Sequence, residues 1–138
     1  MNSTTGDPTQ SHACLYHKRQ DGVHHFICQG SQETALRELL THLYFIHATE
    51  VEQPITRFLV DASGYRSVNF AAAFREVRHM DRHIGARAHV RIALVLANNL
   101  FFSFLNMLML PLMRRGDSFR IFTASQFAEA EAWLAQPD

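Results

Sequence analysis

Hydrophobic positions follow two different spacings along the chain, and the changes of spacing predict alternating strands and helices. Short runs rich in β-branched, aliphatic and aromatic residues predict strands, whereas apolar positions three and four residues apart predict amphipathic helices. The predicted strands are residues 12–19, 23–29, 55–60, 89–96 and 118–123. The predicted helices are residues 32–49, 69–84, about 98–115 and 126–134.

Turn and capping residues mark the limits of these elements. Asp21-Gly22 predicts a tight hairpin, and Ser31 offers an N-cap hydroxyl to the first helix. Gly85 and Gly116 are placed to end the second and third helices, and Ser125 to cap the fourth. The order β-β-α-β-α-β-α-β-α predicts a single α/β domain with a mostly parallel five-stranded sheet covered by helices. Residues 89–96 are nearly all aliphatic, as a central strand buried on both faces requires.

Composition limits the classes of function. The 138 residues are 47% hydrophobic, which suffices for one core, and 13 basic residues balance 13 acidic ones. No long-range attraction to nucleic acid is therefore expected. Residues 1–11 are polar and lack the pattern of a secretory signal, which predicts a flexible tail before a domain at 12–138 and a cytoplasmic location. Cys14 and Cys28 are expected to be reduced thiols packed in the core.

The third predicted helix has more apolar surface than one sheet can cover. Asn99, Ser103 and Asn106 share one narrow stripe, and most of the remaining surface is apolar. A helix on a sheet usually buries an apolar stripe about 100° wide, so this helix requires a second apolar environment. Neighbouring helices, a homodimer contact, or a ligand pocket or membrane-contacting face would each provide one.

Positive charge is concentrated around the second helix. Residues 66–91 contain six arginines and two acidic residues. Arg75, Arg78 and Arg82 share one helical face, where they could contact a ligand head group or an anionic membrane surface. The alternative is a solvated helix face with no binding role.

The usual patterns for catalysis, metal binding and cofactor binding are absent from the sequence. His79 and His83 stand four residues apart, a spacing that suits a shared metal, but no third ligand is near and no metal site is predicted. The segment 61–64 has no evident histidine base, so an enzyme is not predicted. The glycines are scattered singly rather than grouped in a phosphate-binding loop, and no cofactor is expected.

Three short sequence motifs, together with the order of the predicted elements, resemble a known family over roughly residues 12–135. The phrases are VDASG at 60–64, FRIF at 119–122 and AWL at 132–134, and they resemble SpoIIAA-like proteins of the STAS superfamily. This resemblance implies similarity to anti-sigma-factor antagonists, which bind protein partners and are phosphorylated on a Ser or Thr before the second helix. Ser63 and Ser67 are the candidate positions here, although the Asp-Ser-Ser-Gly phrase of those proteins is absent.

The SpoIIAA-like branch also looks like lipid-exchange domains of the CRAL-TRIO type, which implies an apolar ligand between the middle helices. The leading hypothesis is a non-enzymatic module that binds a lipid-like molecule, or an anionic surface at the inner membrane, through its second and third helices. The alternative is a regulatory protein-interaction module that uses the third helix as a docking or dimer face. The residues expected to line the apolar groove are Tyr65, Phe70, Phe74, Phe101, Phe102, Leu105 and Met109.

Overall fold

The computed structural model describes residues 13–137, so the predicted tail at 1–11 lies outside the described residues. Within that range the strands are β1 (Cys14–Lys18), β2 (His24–Cys28), β3 (Ile55–Asp61), β4 (His89–Leu96) and β5 (Ser118–Thr123). The α-helices are α1 (Gln32–Thr49), α2 (Phe70–His83), α3 (Phe102–Met109) and α4 (Phe127–Ala135). Short 3₁₀ helices at Leu110–Leu112 and Ala124–Gln126 follow α3 and precede α4.

The five strands form one sheet in the order β1-β2-β3-β4-β5. β1 and β2 are antiparallel, and the other three pairings are parallel. The predicted single α/β domain with a mostly parallel five-stranded sheet is confirmed. β4 lies between β3 and β5, and its Ala93 and Val95 have no exposed surface, which confirms the predicted buried strand.

Local signals account for the first elements. Gly22 has a φ of 88°, which the hairpin requires, and the Arg19 amide donates to the Val23 carbonyl over 2.8 Å. The Ser31 hydroxyl accepts a hydrogen bond from the Thr34 amide at the start of α1. α1 therefore has the limits predicted from the sequence.

The predicted third helix is too long at both ends. The Asn98 side chain accepts a hydrogen bond from the Leu100 amide at 3.0 Å, which holds these residues in a turn, and α3 begins only at Phe102. Pro111 has no amide hydrogen and lies in the 3₁₀ helix that replaces the last α-helical turns. Gly116, with a φ of 94°, lies in the turn before β5 instead of capping a helix.

Two further caps differ from the prediction. Ile84, rather than Gly85, is the C-cap of α2, and its amide donates to the Asp81 carbonyl. Thr123 and Gln126 form a capping box, so Thr123 takes the role predicted for Ser125. A 3₁₀ helix consequently precedes α4, which begins at Phe127.

Helices cover the two faces of the sheet unequally. α4 packs on one face, against β3, β4 and β5, where the buried residues include Leu59, Val95 and Phe122. The opposite face is covered by α1, α2 and α3. No residue of α2 is buried, and this helix packs mainly against α1 and α3. Space therefore remains between α2 and the sheet.

None of the helices within residues 13–137 has both the length and the hydropathy that crossing a bilayer requires.

Candidate functional site

The space beneath α2 is a cavity of about 200 Å³ with an almost entirely apolar lining. Alternate residues of β3, β4 and β5 form its floor, because side chains two apart on a strand point to the same face. The floor residues are Phe58, Val60, Val90, Ile92, Leu94 and Phe119. The helices contribute side chains spaced three and four residues apart, among them Leu36, Leu39, Leu43, Ala73, Val77, Met80, Leu108 and Leu112.

Four of the seven residues predicted to bind an apolar ligand line this cavity: Phe70, Phe74, Leu105 and Met109. The remaining three, Tyr65, Phe101 and Phe102, lie outside the lining. The Tyr65 hydroxyl donates to the Gln29 carbonyl at 2.9 Å. Phe101 is half exposed and meets Phe70 edge-on, and Phe102 packs against the hydrophobic cluster that includes Leu105.

One end of the cavity is polar, and its residues were not predicted from the sequence as a site. His47, near the end of α1, Asp81, near the end of α2, and Arg87, before β4, all contribute to the lining. Parallel strands and their connecting helices bring these three chain segments to the same edge of the sheet. We refer to His47, Asp81 and Arg87 as the polar end of the cavity.

Arg87 belongs to a partly buried network of charges, in which Arg87 and Asp117 are the buried members. Its guanidinium donates from Nη2 to Asp117 Oδ2 at 2.8 Å and from Nε to Asp81 Oδ1 at 3.3 Å. The Arg114 guanidinium also contacts Asp81, at 3.2 Å. Burial opposes ionisation of Asp117, but hydrogen bonds from Arg87 and from the amides of Val90 and Arg114 outweigh it and lower the pKa of this carboxyl. The network contains two guanidiniums and two carboxylates and is balanced in charge.

His47 is the polar residue at this end that lacks a partner. Its side chain is only 7% exposed, and its ring meets Phe58 edge-on with the centroids 5.7 Å apart. The Nδ1 atom is buried and has no hydrogen-bond partner in the described part of the chain. Burial, and then the charge of Arg87, lower the pKa of His47 to about 4, so the imidazole is neutral at pH 7.

The predicted head-group arginines lie outside the cavity. Arg75, Arg78 and Arg82 are exposed on the outer side of α2, without a hydrogen-bond or ion-pair partner among residues 13–137. Arg75 also lines an open outer groove between α1 and α2, to which Ala72 contributes as well. These arginines can attract an anionic surface, but the structure does not direct them at the cavity.

The two candidate phosphorylation sites differ in their surroundings. The Ser63 hydroxyl donates to Asp61 Oδ1 at 2.6 Å, so a phosphate on Ser63 would lie beside a carboxylate. Ser67 is exposed in the loop before α2.

α3 leaves part of its apolar surface uncovered. Leu105 is buried, whereas Phe104 and Met107 are 44% and 62% exposed. Leu100 and Leu110, just outside α3, are 75% and 71% exposed. Neighbouring elements therefore cover one side of this helix only, and the excess predicted from the sequence is present at the surface.

The paired histidines of β2 point to opposite faces, as strand geometry requires. His24 packs on Phe58, and His25 packs on Phe127 of α4. Nδ1 of the buried His24 forms a hydrogen bond with Tyr16 Oη (2.7 Å). Its Nε2 lies 2.9 Å from Glu50 Oε2. Burial opposes ionisation of Glu50, but contacts with His24 and then Lys18 outweigh it and lower the pKa of this carboxyl. This cluster fastens the hairpin to the end of α1.

The two cysteines are direct neighbours across the β1–β2 ladder. Cys14 pairs with Cys28 in the register, and both thiols are buried and free. A hydrogen bond from the Cys14 thiol to Cys28, and then burial, raise the pKa of Cys14. The same hydrogen bond lowers the pKa of Cys28, against the opposing effect of burial. Both cysteines belong to the same hydrophobic cluster, in agreement with the predicted core packing.

His79 and His83 are close, with ring centroids 4.6 Å apart, but His83 Nδ1 contacts the His79 carbonyl. Among the residues that the structure describes, no group of three or more His, Cys, Asp and Glu side chains is arranged to hold a metal ion.

Comparison with known protein families gives a match over most of the chain. The model of the SpoIIAA-like family matches residues 31–135, which is most of the chain and includes every residue that lines the cavity. No curated protein and no solved structure matches.

Proposed function

The chain belongs to the SpoIIAA-like family, and from that premise we propose that it is a binding module that holds a small apolar molecule between its sheet and helices α1, α2 and α3. Membership of this family fits a non-enzymatic regulatory module of the anti-sigma-factor-antagonist type. The apolar cavity of about 200 Å³ is the single observation that carries the proposal of a ligand.

The energy of an empty cavity supports an occupant. At about 24 cal/mol per Å³, a closed void of 200 Å³ costs about 5 kcal/mol, which is an upper limit here because the cavity is partly open to solvent. The total stability of a domain is only about 5–15 kcal/mol. Protein interiors are otherwise close-packed, so an apolar space of this size favours an apolar occupant over water.

The volume indicates a small ligand. An apolar cavity of about 150 Å³ in another protein stays dry and binds benzene, whereas pockets for drug-sized ligands begin at about 300 Å³. The cavity here lies between these values. A single ring or a short branched chain fits it, and a longer chain requires α2 to move outward.

Native mass spectrometry of gently purified protein tests this proposal. We expect a monomer carrying a small apolar adduct that organic extraction removes, and extracted protein that binds toluene. Absence of an adduct together with absence of toluene binding would refute the ligand proposal.

The exposed face of α3 favours a second candidate, a docking face for a protein partner or a second copy of the chain. Phe104 and Met107, with Leu100 and Leu110 at the ends, form an apolar patch whose exposure to water is unfavourable. In the same native spectra, a dimer without adduct would support this candidate. Replacing Phe104 and Met107 by Ser should then yield monomers, whereas the cavity residue Val77→Ser should leave the dimer intact.

The arginines of α2 support contact with an anionic membrane as a further property of the same module. Each basic residue near such a surface contributes about 1 kcal/mol, so three contribute about 3 kcal/mol at low salt. Changing Arg75, Arg78 and Arg82 to Gln should abolish salt-sensitive binding to phosphatidylserine vesicles, and changing Arg37 on α1 should not. Equal vesicle binding by the triple variant would remove this property from the proposal.

A further inference from the structure

We infer that the cavity selects a molecule with one neutral hydroxyl group, such as a phenol or a small alcohol, and rejects a carboxylate of the same size. This inference rests on the proposed function, because it assigns the chemistry of the molecule that the cavity holds. It follows from the composition of the polar end, where His47, Asp81 and Arg87 meet an otherwise apolar lining.

His47 provides the unmet hydrogen bond. Its Nδ1 atom is buried without a partner in the part of the chain that the structure describes, and the ring contributes to the cavity lining. The inferred contact requires a small turn of the ring that brings this nitrogen to the cavity wall. A neutral imidazole carries one N–H donor and one acceptor nitrogen. A hydroxyl group both donates and accepts, so it satisfies this ring in either tautomer. A methyl group of the same size leaves the nitrogen unsatisfied, which is unfavourable in a buried site.

The charges at the polar end exclude an anion. Arg87 is 4% exposed and its guanidinium already pairs with Asp117, which has no exposed surface, and with Asp81. Arg114 completes the balance by pairing with Asp81. A carboxylate in the cavity would therefore meet no uncompensated positive charge, and the Asp81 carboxylate, which lines the cavity, would repel it. Burying a charge without a partner is strongly unfavourable.

Toluene, phenol and benzoate form a matched series for the test, since they share a ring and differ in the group attached. Dissociation constants are measured at pH 7 by calorimetry on extracted protein. We expect phenol to bind at least about tenfold more tightly than benzoate, the factor that one lost hydrogen bond of ordinary strength produces. Equal affinity for benzoate and phenol would overturn the inference.

Variants at His47 separate the hydrogen bond from the shape of the cavity. In His47→Leu the affinity for phenol relative to toluene should fall about tenfold, and His47→Gln, which keeps a donor and an acceptor, should retain most of it. His42→Leu is the matched control, because His42 lies on α1, contacts Tyr16 and does not line the cavity. A relative affinity unchanged in His47→Leu would overturn the inference.

The outcomes distinguish this inference from the proposed function. If toluene binds but phenol gains nothing from His47, the ligand cavity stands and its selectivity for hydroxyl groups is wrong. If neither toluene nor phenol binds to folded, extracted protein, the ligand proposal itself fails and the inference fails with it.

Discussion

Replacing Ala73 by leucine should stabilise the ligand-free protein, because the longer side chain enters space that is already present. Ala73 lies on the face of α2 that lines the cavity. The substitution adds three carbon atoms, and burial of each contributes about 0.8 kcal/mol, so the expected gain is about 2 kcal/mol. For a domain of this size the gain corresponds to a rise in Tm of roughly 6 °C. In a close-packed core, the same change would be destabilising.

Urea unfolding of extracted protein measures the change, followed by the fluorescence of Trp133, the only tryptophan, which packs against Phe122. Ala72→Leu is the control, because Ala72 lines the outer groove and not the cavity. We expect it to change stability by less than about 0.5 kcal/mol. Toluene binding should weaken in Ala73→Leu only. A loss of 1 kcal/mol or more in Ala73→Leu would refute the reasoning, since roughly that loss is typical of overpacking.

Three other features give predictions that are independent of a ligand. Asp117→Asn should lower the free energy of unfolding by about 3–5 kcal/mol, because it removes the charge of one partner of the buried ion pair with Arg87. A loss below about 1 kcal/mol in urea unfolding would contradict this prediction. Folded His47 has a pKa of about 4 against about 6.5 when unfolded, so acid protonates the unfolded chain first. The contribution of His47 to the free energy of unfolding should therefore be fully present above pH 6.5 and fall by about 3 kcal/mol as the pH drops to 4. His47→Leu should remove this part of the pH dependence, and an unchanged slope would disprove its origin. Because Cys14 and Cys28 are cross-strand partners, the oxidant diamide should convert them to an intramolecular disulfide. Intact mass spectrometry should detect the loss of two hydrogen atoms. Two thiols that can still be titrated after treatment would show that the disulfide does not form.

Elements set by local signals were predictable from the sequence. α1 has its N-cap serine and an uninterrupted apolar period, and β4 has a continuous aliphatic run, so both have the predicted limits. α3 does not, because its ends depend on competition between helical and other hydrogen bonds. The hydrogen bond to the Asn98 side chain delays the start of the helix, and Pro111, which lacks an amide hydrogen, shortens its end. The spacing of apolar residues predicts neither effect.

The candidate site was predictable only in its apolar part. Phe70, Phe74, Leu105 and Met109 follow from helical periodicity and do line the cavity. Arg87 and Asp117 are 30 residues apart, and only the completed sheet brings them together. His47 was the nearest to a visible signal, because it continues the apolar stripe of α1 four residues after Leu43. A histidine in that stripe indicates either a buried polar contact or a ligand contact, and the sequence alone does not distinguish them.

The attachment of α2 indicates how a molecule reaches the polar end. At the amino end of this helix, Gln32 and Asn69 exchange two exposed hydrogen bonds, of 2.8 and 3.0 Å. At the carboxyl end, Asp81 pairs with Arg87 and Arg114 in a partly buried network. Exposed hydrogen bonds compete with water and contribute little net stability, whereas buried ion pairs are costly to break. We therefore expect the helix to open more readily at its amino end, where Phe70 provides the remaining contacts, than at its carboxyl end near His47.

A ligand that enters beside the amino end of α2 must pass the full length of the apolar lining before its polar group meets His47. Phe70 and Phe74 lie at the start of this path, and His47 and Asp81 lie at its end. An ionised group would lose its hydration along the whole path and find the charges at the end already paired. A single hydroxyl loses far less and gains a partner in the imidazole. The weak attachment of α2 and the balanced charges of the polar end thus favour the same class of neutral molecule, one by access and the other by recognition.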